Sequence, residues 1–511
     1  MNWTALAVFV VLFACITWLG FFAARWRQGD LSMLHEWGLG GRRFGTFVTW
    51  FLLGGDLYTA YTFIAVPALM FGAGAIGFFA VPYTIMIYPI LYVVFPRLWT
   101  VAHRHGYVTA ADFVRGRFGN RWLALAVAIT GIFATMPYIA LQLVGMQVVI
   151  GAMGLHGTGV VGDLPLIIAF VILAAFTYTS GLRAPAMIAV VKDLLIYITV
   201  IAAVIVIPIQ LGGYGAIFAK IPPAKLLLAG PQAGSLGTFS AYATLAFGSA
   251  LALFLYPHSI TAILSSSSAR VIRRNAAILP AYWLVLGLLA LLGFMAIAAG
   301  VQGRAEFASG FKAYGTNFAI PALLLHAFPD WFVGVAFAAI AIGALVPAAI
   351  MSIATANLFT RNIYREFLAP GATDAQESQV AKIVSLVIKA GALVFIFALD
   401  LPYALQLQLL GGVWIIQILP SVVLGLYTRF FHGWGLLIGW AIGTALGTGM
   451  AWSLDFKVAV YPLNVFGVTV PCYIALPSLV ANIVVAAVLS VVFHTVATDR
   501  HKDVTAAEDY A

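Results

Sequence analysis

Charge is what this 511-residue sequence lacks most: only 8% of it is Asp, Glu, Lys or Arg, against 63% hydrophobic residues. Soluble domains carry about 25% charged residues, so a chain this poor in charge belongs in a lipid bilayer. Cysteine is almost missing as well. Cys15 and Cys472 lie in apolar segments near opposite ends of the chain, which excludes a disulfide framework and a thiolate metal site. No Gly-rich loop ending in Gly-Lys-Ser/Thr occurs, and that excludes ATP-driven work by the Walker arrangement. The nearest histidine pair, His103 and His105, has only Asp112 as a neighbouring acidic ligand, too few for a zinc centre. The expectation is a chain that is not an enzyme and carries no cofactor, so that any uphill work must draw on an ion gradient.

What is present is apolar length. Roughly 20 residues cross the hydrocarbon core, and thirteen segments are long enough: 3–23, 46–72, 76–100, 122–150, 163–180, 185–210, 240–263, 276–300, 331–359, 381–400, 404–427, 434–453 and 471–494. The first is too long for a signal-peptide core and lacks a basic leader, so it is expected to stay as a helix. The net charge of +9 raises the question of a nucleic-acid partner, but its distribution points to topology. With the N-terminus outside, the odd-numbered loops, the span ends Arg97 and Lys382 that border them, and the tail hold 19 of the 26 Lys and Arg, including Arg42, Arg43, Arg115, Arg117 and Arg270 to Arg274. The outer loops hold five, Lys220, Lys225, Arg304, Lys312 and Lys457. This asymmetry predicts an all-α integral membrane protein, N-out and C-in, whose partner is the bilayer and not a nucleic acid. The longest connections, about 211–239 and 301–330, are too short and too rich in Gly, Pro and Ala for an appended soluble module, so 1–511 reads as one transmembrane domain.

Two spans are interrupted. The second contains Gly54-Gly55-Asp56 and the seventh Tyr256-Pro257-His258. Broken backbone at membrane depth is tolerated where it lines a cavity. These are the first helices of two successive five-helix sets, about 46–210 and 240–427, and paired breaks at equivalent places mark a transporter binding site between inverted repeats. Asp56 is a candidate for ion or proton coupling, or for a cap on the half-helix that starts at Leu57. Tyr58, Thr59, Tyr61 and Thr62 cover more than one helix face. Lys192-Asp193 sits inside the sixth span, roughly 12 Å up the helix, where the lysine either exchanges protons or pairs with a carboxylate. Lys389, in the tenth span, reads as a lysine that snorkels to the surface. His258 and Ser259 at the second break, Tyr138 with Gln142 in the fourth span, and Trp414 with Gln417 in the eleventh are candidate substrate contacts, or interhelical glue.

Several segments together resemble the sodium/solute symporter family over nearly the whole chain: Glu36-Trp-Gly-Leu-Gly-Gly-Arg-Arg43, Gly54-Gly-Asp-Leu-Tyr-Thr-Ala60, Tyr107-Val-Thr-Ala-Ala-Asp-Phe-Val-Arg-Gly-Arg-Phe-Gly119, and Ala348-Ala-Ile-Met-Ser-Ile-Ala-Thr355 followed by Asn362-Ile-Tyr-Arg-Glu366. Ser180-Gly-Leu-Arg-Ala-Pro185, Leu255-Tyr-Pro-His-Ser259 and Gly411-Gly-Val-Trp-Ile-Ile-Gln417 most resemble its bacterial monocarboxylate permease branch. The resemblance implies the LeuT-like fold of five plus five helices with extra helices at both ends. It also implies secondary active import of lactate, pyruvate or related short acids across a bacterial inner membrane.

It further implies a Na⁺ site made of carbonyls that fall here on Gly54, Leu57 and Ala349 and of hydroxyls that fall on Ser352 and Ile353. An isoleucine supplies no oxygen to a hard cation. The family's aspartate in the sixth span falls on Ala189, and Lys192 replaces a glutamine. Proton coupling through Lys192, with Asp56 and Asp193, is therefore favoured over Na⁺. Substrate contacts are expected from Tyr58, Thr59, Thr62, Tyr138, Gln142, His258, Ser259, Trp414 and Gln417. A Na⁺-coupled carrier of another small solute, such as an amino acid or acetate, stays as the alternative. A non-transporting membrane sensor is a further one.

Overall fold

The computed structural model describes residues 2–26, 29–55, 58–155, 160–397, 404–496 and 503–510. Asp56 and Leu57 lie outside the described residues. Among the described residues the chain is mostly helical, and ten helical segments are long and apolar enough to cross a membrane, or eleven with one bent pair. The thirteen predicted segments each meet a helix, and among the described residues ten or eleven spans are long and apolar enough to cross. Within Tyr61–His105 the backbone leaves the helix at Gly74, at φ +79° and ψ −143°, between the segments 46–72 and 76–100, and Thr46–Gly55 and Leu164–Ser180 are shorter apolar helices.

Local chemistry sets the boundaries. Asn120 caps Arg121–Ala152 by accepting from the N–H groups of Trp122 and Leu123. Thr109 and Asp112 form a reciprocal capping box at the start of Ala110–Phe118, and Gly119 ends that helix at φ +62°, a conformation that glycine adopts without a Cβ penalty.

At the centre lies Asp330–Phe359, buried along nearly all its length and packed on Trp3–Phe22, Arg121–Ala152 and Arg183–Leu211. Its many Ala and Gly residues let backbones approach closely, which is how helices associate where no hydrophobic effect drives them together. Gly334 shows how close: a Cβ there would stand 2.5 Å from the Ala5 carbonyl oxygen. The same device joins Gly433–Trp452 to Ala475–Val496. Gly435, Gly439, Gly443 and Gly447 recur every fourth residue along one face, and Cβ atoms on Gly435 and Gly439 would run into Ala486 and Asn482.

One element departs from the all-helical expectation. Val460–Val465 and Val468–Tyr473 pair as an antiparallel hairpin, turned by Phe466 and Gly467 at φ +51° and +84°, the two positive φ values that a tight right-twisted hairpin requires. The last long helix thus begins at Ala475 and not at residue 471.

Both breaks are present. Gly237–Leu253 and Pro257–Leu264 meet at a bend of 48°, with Pro257 opening the second piece, where its missing N–H costs nothing. Thr46–Gly55 ends at the first break. The chain resumes through a π-helical turn, Tyr61–Ala65, into Val66–Ala73. Extra-residue turns of this kind gather at functional sites.

Candidate functional site

The first break is held by a cation of the protein itself. Lys192 and Asp193, on Arg183–Leu211, are fully buried. The Lys192 ammonium donates to the Gly55 carbonyl, donates to the Tyr58 carbonyl at 3.2 Å and lies 3.1 Å from Asp193 Oδ1. Tyr282 donates its hydroxyl to Asp193 Oδ2 at 2.6 Å, and Tyr58 donates to the Tyr282 carbonyl at 2.8 Å. A buried ammonium is tolerable only when paired and hydrogen-bonded, and these partners supply both requirements. Gly55 is the floor of the cluster: a Cβ there would stand 2.9 Å from Asp193 Oδ2 and 3.0 Å from Lys192 Nζ. Of the two sequence readings of Lys192, pairing with a neighbouring carboxylate is what the geometry displays.

The half-helix after this break has its first amide donors occupied. Thr62 Oγ1 accepts from Thr59 N–H at 3.0 Å, Gln142 Oε1 accepts from Ala60 N–H at 3.1 Å, and Thr59 Oγ1 accepts from Tyr61 N–H at 3.0 Å. Gln142 is brought there because Gly145, one turn further along the fourth span, lets that helix touch Ala60; a Cβ on Gly145 would lie 2.3 Å from the Ala60 Cβ. Side chains already cap Thr59, Ala60 and Tyr61.

At the second break Tyr138, Tyr256 and His258 form an aromatic triangle with ring centroids 5.3 to 5.5 Å apart. Ser259 is buried beside it, and its hydroxyl has no partner among the described residues. An unmatched buried hydroxyl costs about 1–3 kcal/mol, so it marks a place where a polar ligand gains affinity.

The remaining candidates lie elsewhere. Trp414 donates to the Thr448 hydroxyl at 3.1 Å, and Gln417 donates to Ser478 Oγ at 3.0 Å and accepts from Asn482 at 3.1 Å. Both side chains face Gly433–Trp452 and Ala475–Val496, the interhelical-glue alternative for this pair. Ser352 donates its hydroxyl to the Ala349 carbonyl at 2.8 Å, so these two oxygens satisfy each other; Ile353 is fully buried next to them. Gly54 packs on Leu279 and Tyr282. Lys389 does not snorkel: it is 2% exposed and donates to the Ser385 carbonyl and hydroxyl at 3.4 Å. Sequence reasoning missed Tyr282 and Ser385. Tyr282 sits in an unremarkable apolar stretch, whereas Ser385 lies one turn before Lys389, a spacing that could have flagged it.

Bent and broken helices around a buried ion pair, in a bundle of ten to eleven apolar spans, define a multi-pass membrane transporter. The sequence pattern of the sodium:solute symporter family matches residues 37–443, and the chain belongs to that family. It is 53% identical over 498 residues to a monocarboxylate transport permease protein of Rhizobium johnstonii, covering 96% of this chain and 97% of that protein. A symporter of Bacillus subtilis, YodF, is 34% identical over 87% of both chains. Among solved structures, a Na⁺-coupled sialic acid symporter in a substrate-bound, outward-open state superposes with a TM-score of 0.77 at 14% identity, covering 96% of this chain and 98% of that one. The nucleobase-cation symporter MHP1 gives 0.54 at 12% identity. These likenesses place the fold among LeuT-like transporters. Family and relatives are carriers and not enzymes.

Proposed function

We propose that the chain imports small monocarboxylates, lactate, pyruvate and related short acids, by symport across a bacterial inner membrane, with H⁺ rather than Na⁺ as the coupling ion. In this reading thirteen segments cross, N-out and C-in, and residues 46–210 and 240–427 are two inverted repeats. The substrate class is supported by the Rhizobium relative, a monocarboxylate transport permease protein that matches this chain along nearly its whole length.

One observation carries the coupling: the Lys192 ammonium holds the opened carbonyls of Gly55 and Tyr58, where a coupling cation would otherwise be needed. Protonated, Lys192 ties the first break to the sixth span and neutralises Asp193. When the proton leaves, the charge-assisted bonds to Gly55 and Tyr58 weaken about twofold, and Asp193 is left as a buried carboxylate without its counter-ion, a state that costs several kcal/mol unless the cluster rearranges. Asp56, the residue after Gly55 in the sequence, assists in this reading. The substrate carboxylate takes the unmatched Ser259 hydroxyl and His258, with Tyr58, Thr59, Thr62, Tyr138 and Gln142 shaping the space between the breaks. Substrate affinity and proton occupancy then raise each other by the same factor. Trp414 and Gln417 are left out of this pocket because their donors are spent on the C-terminal helices.

The deciding experiment is uptake of radiolabelled lactate into proteoliposomes under a Na⁺ gradient or an inward H⁺ gradient imposed separately, with Lys192→Gln alongside. Accumulation on the H⁺ gradient alone, lost in the variant, is the expected result. Accumulation that requires Na⁺ would replace H⁺ with a site at Gly54, Leu57, Ala349 and Ser352. Lactate uptake under neither gradient would move the substrate to another small solute.

A further inference from the structure

The face that carries the arginine-rich loops holds a polar cavity of about 430 Å³, bordered by Arg42, His103, His105, Arg361, Arg365 and Glu377, with Asp374, His35 and Val108 also on its wall. Most of its charges are matched. Glu377 takes Arg361 at 3.0 Å and Arg365 as well. Asp112, just behind the wall, accepts from the Val108 N–H and the Asn362 amide, each at 2.8 Å, and lies 3.7 Å from Arg361. Arg42 differs. Two of its N–H groups go to the Ala102 and Tyr107 carbonyls, and no carboxylate lies within ion-pair distance among the described residues. A guanidinium has five donors, so three stay open. Burial lowers this group to about 10, with Asp112 opposing, which leaves it cationic at neutral pH.

A second cavity, of about 10 Å³, lies between this one and the break in the seventh span. Val108, Thr109 and Ala110 form one side of it, and Pro257, Thr261 and Leu358 line it as well. Val108 borders both cavities. A void of that size takes about one water, so a carboxylate cannot pass. The three-residue wall is pinned by Thr109, whose hydroxyl donates to Asn362 Oδ1 at 2.8 Å, while the Asn362 amide donates to Asp112. The Val108 and Thr109 N–H groups also donate to Asp112, so the wall opens by breaking a handful of hydrogen bonds, a population shift that a transport cycle can drive.

We propose that the Arg42 cavity is a release site for the transported carboxylate, reached from the pocket between the breaks when the Val108–Ala110 segment swings away. The site rests on the monocarboxylate reading above and adds its exit. Arg42 receives the anion in bidentate fashion, as its geometry favours, and hands it to water through the exposed mouth beside Arg365.

Two measurements separate the gate from the substrate reading. In full-length protein carrying Cys15→Ser and Cys472→Ser, Leu358→Cys is labelled with a membrane-impermeant maleimide in vesicles of both orientations. Thr109→Val and Asn362→Ala should each speed labelling roughly tenfold, and only from the arginine-rich face. Unchanged rates in both, or acceleration from the opposite face, overturn the gate whatever the substrate is. In lactate counterflow, Arg42→Gln should raise the half-saturation concentration at the arginine-rich face roughly tenfold, about 1.4 kcal/mol, and by more than at the other face, with Arg42→Lys restoring part of the effect. Equal shifts on both faces overturn the release site. If the parent protein moves no monocarboxylate under any gradient, the substrate reading fails and the release site with it, while the labelling still decides the gate.

Discussion

Replacing Gly55 by alanine adds one methyl group at the point where the broken second span meets the sixth. The new Cβ would stand 2.9 Å from Asp193 Oδ2, 3.0 Å from Lys192 Nζ and 3.1 Å from Asp193 Oδ1, all inside ordinary van der Waals contact. None of the three atoms is at the end of a side chain free to swing out, because both residues are fully buried and Asp193 is held by Tyr282 as well. The backbone at Gly55 is helical, so the penalty is steric and not conformational. Overpacking by a methyl group costs about 1–3 kcal/mol, and it falls on the ammonium contact with the Gly55 carbonyl. That corresponds to about a 5- to 150-fold loss of the closed arrangement. The assay is H⁺-driven lactate accumulation in proteoliposomes, set against lactate exchange at equal pH, which needs the substrate path but no net proton movement. Gly55→Ala should depress accumulation at least about fivefold and exchange much less. Wild-type accumulation, with the variant folded and inserted at normal yield, would refute the idea that this contact couples the proton to the cycle.

Other consequences follow from the same geometry. Tyr282→Phe removes the 2.6 Å bond to Asp193, a bond to a charged group at about 1.5–3 kcal/mol; H⁺-driven turnover should fall at least about tenfold while the detergent-solubilised protein keeps its fold by circular dichroism. Gln417→Ala should lower thermal stability by about 1–2 kcal/mol through its lost bonds to Ser478 and Asn482 and leave the lactate KM unchanged; a KM increase with unchanged melting would return Gln417 to the pocket. Gly439→Val forces a side chain against the Asn482 carbonyl and Ala486 and should lower the melting temperature without altering coupling. At the arginine-rich face Glu36 is buried between Arg43 and the 1% exposed Arg183. Glu36→Ala removes the carboxylate that neutralises a buried guanidinium and should cost about 3–5 kcal/mol, whereas Arg43→Ala, at a half-exposed position, should cost less than about 1 kcal/mol; thermal melting of the two variants checks the contrast.

Much of the architecture was legible in sequence because a bilayer narrows the choices: low charge, apolar length and two glycine or proline interruptions lead to a helical bundle with broken spans. The boundary between 46–72 and 76–100 was legible, since the helix Val66–Ala73 ends there at Gly74, at φ +79° and ψ −143°; span number was less so, because Thr46–Gly55 and Leu164–Ser180 are short apolar helices. The hairpin at residues 460–473 was hidden by its valines and prolines, which read equally as the start of an apolar span. Within the site, the types were visible and the directions were not. Lys192 beside Asp193 could be seen as an intramembrane pair, but nothing in the spacing said that its ammonium would meet the carbonyls of Gly55 and Tyr58, 137 and 134 residues away. Trp414 and Gln417 share a helix face, as their spacing predicts. That face turns toward the C-terminal helices because the glycine stripe at 435, 439, 443 and 447 brings those helices close enough for hydrogen bonds.

The two breaks are therefore unequal, and the difference bears on mechanism. At the first, both kinds of opened backbone group are occupied by the protein: carbonyls by Lys192, amides by Thr62, Gln142 and Thr59. At the second, Ser259 is left with an unmatched hydroxyl beside Tyr138 and His258. A carrier in which the first break senses the proton and the second receives the anion needs a physical link between them, and Gln142 provides one: it caps Ala60 at the first break and donates to the carbonyl of Tyr138 at 3.2 Å, whose ring packs on His258. In the proposed cycle, a shift of the first half-helix on loss of the Lys192 proton would pull on this glutamine and so on the wall of the anion site. Coupling through one fully buried side chain makes a sharp demand. Gln142→Leu removes both the acceptor toward Ala60 and the donor toward Tyr138, so in protein that folds and inserts at normal yield it should raise the lactate KM and lower the number of protons moved per lactate below that of the parent.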